Sequence, residues 1–166
     1  HLEEEIFSEL QIYVSASAPV KFMVLKLTNR LDRHVTLSVT GYLEWVLGEL
    51  RTRTGMHLIT EVDAESGALL VRNPYHMDFA DRVAFFDVDD PSRTLTGDRD
   101  EFLGRNGELS RPAALTRTRL SGKVGAGLDA CGAIQVTLGL AGGQTGEVIF
   151  RMGVTGPGRR GTDDTG

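Results

Sequence analysis

Apolar residues recur at every second position through most of this chain, the spacing that buries one face of a β-strand. In Ile6–Val14, the residues Ile6, Leu10, Ile12 and Val14 fall on one face, and Glu9, Gln11 and Tyr13 fall on the other. Met23, Leu25 and Leu27 alternate in the same way with Val24, Lys26 and Thr28. Next, Val35, Leu37, Val39, Gly41 and Leu43 oppose Thr36, Ser38, Thr40, Tyr42 and Glu44. The linker between these two runs, Arg30, Leu31, Asp32 and Arg33, is short and polar, which predicts a hairpin. A second hairpin is predicted from residues 57–63 and 68–72 about Ala64, Glu65, Ser66 and Gly67, the glycine supplying a positive φ. Residues 82–88 read as a further strand, closed by Asp89, Asp90, Pro91 and Ser92. The last hairpin has Ile134, Val136, Leu138 and Leu140 in one arm, a turn at residues 141–144, and Val148, Phe150 and Met152 in the other. Helical spacing is nowhere sustained; residues 44–53 alone read as a short helical turn. The expected fold class is all-β, an antiparallel sandwich spanning residues 1–153, with a flexible tail or linker at 154–166.

A length of 166 residues suits a single domain. The net charge of −5 is spread along the chain, and Lys21, Lys26 and Lys123 are its lysines. No clustered basic surface follows, so nucleic acid is excluded as a partner. No apolar run approaches the ~20 residues of a membrane helix, and no leader of charged, apolar and small residues opens the chain. This segment is expected to make no membrane contact and to be cytoplasmic. The single cysteine, Cys131, rules out an internal disulfide and reads as a buried, inert thiol. His1, His34, His57 and His76 lack metal-ligand spacing, so no metal and no cofactor are expected. An opening with His1 and Leu2 rather than Met, and a closing stretch with almost nothing apolar, suggest a fragment.

Candidate chemistry is sparse. Gly122, Gly125 and Gly127 approach a phosphate-binding fingerprint but lack the strand-then-helix context, so a bending loop is expected. Glu61 and Asp63 stand two apart on a strand, about 7 Å between positions, a separation that two-carboxylate sugar chemistry uses. Any solvated acidic strand has the same spacing, and the same holds for the group Asp98, Asp100 and Glu101. The densest specialised stretch is residues 97–107, where Arg99, Arg105 and Asn106 stand among glycines and carboxylates with Phe102 and Leu103 as anchors. It reads as a long loop whose arginines pair with Asp98, Asp100 or Glu101. Alternatively, Arg99, Arg105 and Asn106 donate hydrogen bonds to sugar hydroxyls beside an aromatic platform. Tyr42, Trp45, Tyr75 and His76 are the residues able to build such a platform, although a lone tryptophan such as Trp45 is more often core.

Several segments together resemble glycoside hydrolase family 94, formerly glycosyltransferase family 36. They are Leu27 to Arg30, then Ser38 to Gly48 through Tyr42, Glu44 and Trp45, and Thr60 to Asp63 with Gly67 to Tyr75. Residues 97–107, with Phe102-Leu103-Gly104-Arg105-Asn106-Gly107 as the most specific part, and 111–115 complete the set. The resemblance covers roughly Ile6 to Gly153 and is nearest to the phosphorylase-like region of cyclic β-1,2-glucan synthases. It implies a galactose-mutarotase-like super-sandwich, of which this chain is part. In that family the general acid sits on an (α/α)6 barrel that this sequence lacks, so no catalytic residue is carried over. The expected role is a non-catalytic, carbohydrate-associated domain that packs on the barrel of a glucan-processing parent. The candidate sugar contacts are Trp45, Tyr42, Tyr75, Arg99, Arg105 and Asn106, and exposed strand edges are expected to allow a homodimer. Two alternatives stand: a small aldose epimerase using His57 or His76 with Glu61, and an interaction domain without sugar affinity.

Overall fold

The computed structural model describes residues 2–3 and 5–155; His1, Glu4 and residues 156–166 of the expected 154–166 tail lie outside the described residues. The strands are β1 (Leu2–Glu3), β2 (Ile6–Val14), β3 (Val20–Asn29), β4 (Val35–Glu44), β5 (Ile59–Val62), β6 (Leu69–Arg72), β7 (Val83–Val88), β8 (Thr94–Asp98), β9 (Ala130–Leu140) and β10 (Thr145–Thr155). Two short helices interrupt them, α1 (Arg51–Thr54) and α2 (Arg99–Leu103). The pairing is antiparallel throughout and forms two sheets. The larger has seven strands in the order β1-β2-β3-β10-β7-β6-β5, and the smaller three in the order β4-β9-β8. The chain is an all-β sandwich, as the alternation predicts.

The sheets meet through the inward positions of that alternation. Leu69, Val71, Phe86, Val88, Val148 and Phe150 of the large sheet pack on Val39, Leu95, Ile134, Val136 and Leu140 of the small one. Phe86 and Phe150 stack with their centroids 5.8 Å apart. Gly41 occupies an inward position of β4 because a Cβ there would lie 2.7 Å from the Phe150 ring.

Two of the three expected hairpins do not form. β3 belongs to the large sheet and β4 to the small one, so residues 30–33 carry the chain across the sandwich. The same holds for β9 and β10, whose connection at 141–144 crosses back. Both crossings lie side by side and are tied by one buried side chain, Asn29. Its Nδ2 donates to the carbonyls of Arg33 (2.7 Å), Leu140 (3.2 Å) and Ala141 (3.1 Å), and its Oδ1 accepts from Leu31 N. Strand period sets which face is apolar but not which strand lies alongside, so two corners pass for two hairpins. The 59–72 hairpin forms as expected, with Gly67 at φ 72°.

Four further readings are corrected. Residues 97–107 are not one long loop: they hold the end of β8, the helix α2 and a tight turn. In β8 four of five residues are buried, because α2 and the 3-10 turn Ala113–Thr116 cover the outer face of the small sheet with Phe102, Leu103 and Ala114. Burial on both faces erases the alternation that marks a half-exposed strand. α2 starts where the Asp98 side chain accepts from Asp100 N, with Asp100 and Glu101 in the first turn. The helical turn expected in 44–53 lies further along: Glu44 ends β4, residues 45–50 are irregular, and α1 with a 3-10 turn at Gly55–His57 takes residues 51–57. β2 shares its apolar residues on the inward face but does not bury those beyond Ile6: Leu10 is 57%, Ile12 54% and Val14 67% exposed. β10 runs on to Thr155.

Candidate functional site

Pairing register brings one end of the small sheet together. Glu44, the last residue of β4, stands opposite Cys131, and Asp98 at the end of β8 stands opposite Ala130. Arg99 therefore follows one strand end while Asp129 precedes another, and α1 supplies Arg51 beside both. Arg99 Nε donates to Glu44 Oε1 at 2.7 Å, and its Nη1 lies 3.5 Å from Asp129 Oδ2. Arg51 pairs with Asp129 through Nη2 and lies 3.3 Å from Glu44 through Nε. Tyr42 Oη donates to Glu44 Oε1 at 2.8 Å, and its ring stacks on Phe102 with centroids 4.7 Å apart. Burial alone would raise the Glu44 carboxyl, but hydrogen bonds from Arg99 and Tyr42 and the charges of both arginines hold it below its ordinary value. Burial, with the Glu44 hydrogen bond, pushes the Tyr42 hydroxyl far up. Two carboxylates and two guanidiniums thus neutralise one another in a half-buried cluster.

The structure joins two of the expected sugar contacts, Tyr42 and Arg99, and separates the rest. Trp45 is 4% exposed, its indole N–H without a hydrogen-bond partner among the described residues. Burial leaves neither ring face open to stack on a pyranose, so Trp45 is core. It lines a mainly apolar cavity of about 330 Å³ with Leu43, Leu47, Phe79, Met152 and Val154. Tyr75 is 76% exposed and lies tilted against His57, centroids 4.9 Å apart. Arg105 and Asn106 are exposed at the tip of the turn after α2, Asn106 at φ 62°. Gly107 closes that turn with its N–H on the Gly104 carbonyl, and a Cβ on Gly107 would lie 1.9 Å from the Leu103 carbonyl oxygen. The glycines of the Gly104 to Gly107 run are therefore needed to build the turn.

The loop arginines do not pair as expected. Arg99 takes Glu44 and Asp129, while Asp98 is held by Lys123 and Glu101 by Arg117. Glu61 binds Arg72 across the hairpin at 2.9 Å, and Asp63 accepts from Ser66 in the turn. His76 packs edge-on to Phe79 and accepts from Asp78 N; among the described residues no hydrogen bond or ring contact joins His57 or His76 to Glu61. Gly122, Gly125 and Gly127 take positive φ in a bending loop, as expected. Cys131 is fully buried, and burial pushes its thiol up to about 12. Among the described residues no group of His, Cys, Asp and Glu could hold a metal, and no helix is long and apolar enough to cross a membrane. Sequence reading missed Glu44, Arg51 and Asp129 because they are 78 and more residues apart in part, and only the strand register joins them.

Comparison with known proteins gives two findings. The family model described as glycosyl hydrolase 94, supersandwich domain, matches residues 1–163. The chain is also 34% identical over 152 residues to the cyclic beta-(1,2)-glucan synthase NdvB of Rhizobium meliloti (strain 1021). That match covers 91% of the chain and 5% of the synthase.

Proposed function

This chain belongs to the glycosyl hydrolase 94 supersandwich family, and from that premise we propose that it is a non-catalytic, carbohydrate-associated domain of a longer glucan-processing polypeptide. It packs against a catalytic (α/α)6 barrel supplied elsewhere in that polypeptide and forms part of the wall along which a β-1,2-glucan runs. One observation carries the non-catalytic reading. Of the half-buried and buried carboxylates, Glu44, Glu61, Asp87, Asp98, Glu101 and Asp129 each sit in an ion pair, and Asp63 and Asp90 accept from Ser66 and Ser92 in their own turns, so each is already engaged within the chain. The exposed Tyr75, Arg105 and Asn106 supply the ring face and planar donors that sugar hydroxyls take, on turns whose backbone is fixed by glycine and by the Asn73 side chain.

The test has two arms. The 166-residue chain alone is assayed for phosphorolysis of β-1,2-gluco-oligosaccharides and for mutarotation of glucose. No turnover above the protein-free rate is expected, and measurable turnover of either kind ends the non-catalytic reading. In the longer polypeptide, Arg105→Ala is expected to raise KM for the glucan about three- to tenfold with little change in kcat, the worth of one lost hydrogen bond. An unchanged KM removes Arg105 from the wall.

A further inference from the structure

β4 is ten residues long and pairs with β9 in unbroken register from Val35 to Glu44. Its other side has no partner strand among the described residues. Exposed edges of this length are ordinarily blunted by proline, lysine, a bulge or an inward charge. β4 has none of these; its single charge is Glu44, at the last position. Beside this open edge, the large sheet overhangs the small one. Along one row of the inward face Phe150 is 5% exposed, its neighbour Met23 is half-buried, and the next residue out, Ile12, is 54% exposed. The adjacent row repeats the gradient from Val148 through Leu25 to Leu10. Gly41 of β4 rests on Phe150, so the small sheet stops over β10, leaving the inward face of β3 covered in part and that of β2 uncovered from Leu10 on. Strands lie about 4.8 Å apart within a sheet, so two more strands beyond β4 reach across that gap.

We infer that two extended segments from elsewhere in the same longer polypeptide add to the free edge of β4 and close the sandwich over Leu10, Ile12 and Val14. They carry apolar residues at every second position, facing the large sheet. The inference rests on the reading that the chain is part of a longer polypeptide, and a match covering 5% of the synthase shows how much chain such a relative has to offer. A second copy is the wrong shape for the place. Two β4 edges paired about a two-fold axis perpendicular to the sheet put both large sheets on the same side of the joint. Each large sheet overhangs its own β4 by β3 and β2, so the two overhangs would occupy the same space. A pair of strands is thin enough to enter.

The experiment places p-benzoylphenylalanine at position 12 (Ile12→p-benzoylphenylalanine) in the longer polypeptide and maps the photo-crosslink by mass spectrometry. The expected product joins position 12 to a peptide of the same polypeptide outside residues 1–166. In parallel, amides of β4 are expected to exchange hydrogen at least about tenfold more slowly in the longer polypeptide than in the 166-residue chain. A crosslink to residues 1–166 of another copy, a crosslink to a separate protein, or none at all overturns the inference. The crosslink stands as a test even where the shorter chain does not fold. A translated product that ends with this chain refutes the proposed function itself, and is seen before any crosslink is made; a long product with position 12 uncovered refutes only the closure.

Discussion

Asn29 ties four backbone groups from two parts of the chain, 31–33 and 140–141, and its side chain holds together the two corners where the pattern suggests hairpins. Its amide reaches Ala141 across 112 positions of sequence, its Nδ2 serving as donor and its Oδ1 as acceptor. Asn29→Ala leaves the Leu140 and Ala141 carbonyls and Leu31 N–H without this partner in a buried place, and a loss of about 3 kcal/mol is expected from urea unfolding. Asn29→Asp restores the acceptor but not the donor, so it is expected to recover little; full recovery would mean that the Leu31 contact alone holds the corner. From sequence, an asparagine at a strand end reads as an ordinary turn residue, because the groups it serves are remote. Cys131 was legible by contrast, since an apolar alternating run begins beside it. With its thiol pushed up from 9.0 to about 12 by burial, the native protein keeps the proton while the unfolded chain loses it. Stability is therefore expected to be full below pH 9.0 and to fall as pH rises from there toward 12, a fall that Cys131→Ala should lessen.

At the scale of elements, strands exposed on one face were readable and elements covered on both were not. β3, β4 and β10 show their alternation because one side faces solvent or a thin cover, whereas β9 is buried on both faces from Ala130 to Val136 and is legible only because Gln135 and Thr137 interrupt its apolar row. β8 and α2 hide it, since α2 folds back over the outer face of the small sheet and buries Phe102 against Tyr42. The charged cluster at the end of β4 followed the same rule: Tyr42 and Arg99 were singled out by type, but Glu44, Arg51 and Asp129 become one group only through register. That cluster gives a test in acid. The Glu44 carboxyl lies below its ordinary 4.5 in the folded protein, so the unfolded chain takes up a proton first as pH falls. Its contribution is complete above pH 4.5 and is lost as pH drops through the lowered native value. Unfolding midpoints measured from pH 7 to pH 2 are expected to fall less steeply below 4.5 in Glu44→Gln than in the parent chain. Parallel slopes would show that Arg99 and Arg51 do not favour the ionised carboxylate.

For the whole molecule, the sandwich was legible but its coverage was not, because an alternating strand announces an apolar face without saying whether anything lies on it. Ile6–Val14 has the same period as β3, yet its inward residues from Leu10 on stand in solvent while those of β7 are fully enclosed. Stability must therefore be uneven across the large sheet. Phe86, at 0% exposure and stacked on Phe150, is expected to cost about 4 kcal/mol when replaced by alanine. Ile12→Ala removes nearly as much apolar volume but from a half-exposed site, and in the 166-residue chain is expected to change stability by no more than about 0.5 kcal/mol. Hydrogen exchange should follow the same gradient, slowest in β7 and β9 and fastest in β2. Both variants are to be measured at a concentration where sedimentation shows a monomer, since self-association would bury Ile12 by another route. If Ile12→Ala then costs as much as Phe86→Ala, the inward face of β2 is enclosed by this chain itself, and neither the overhang nor the closure inferred from it survives.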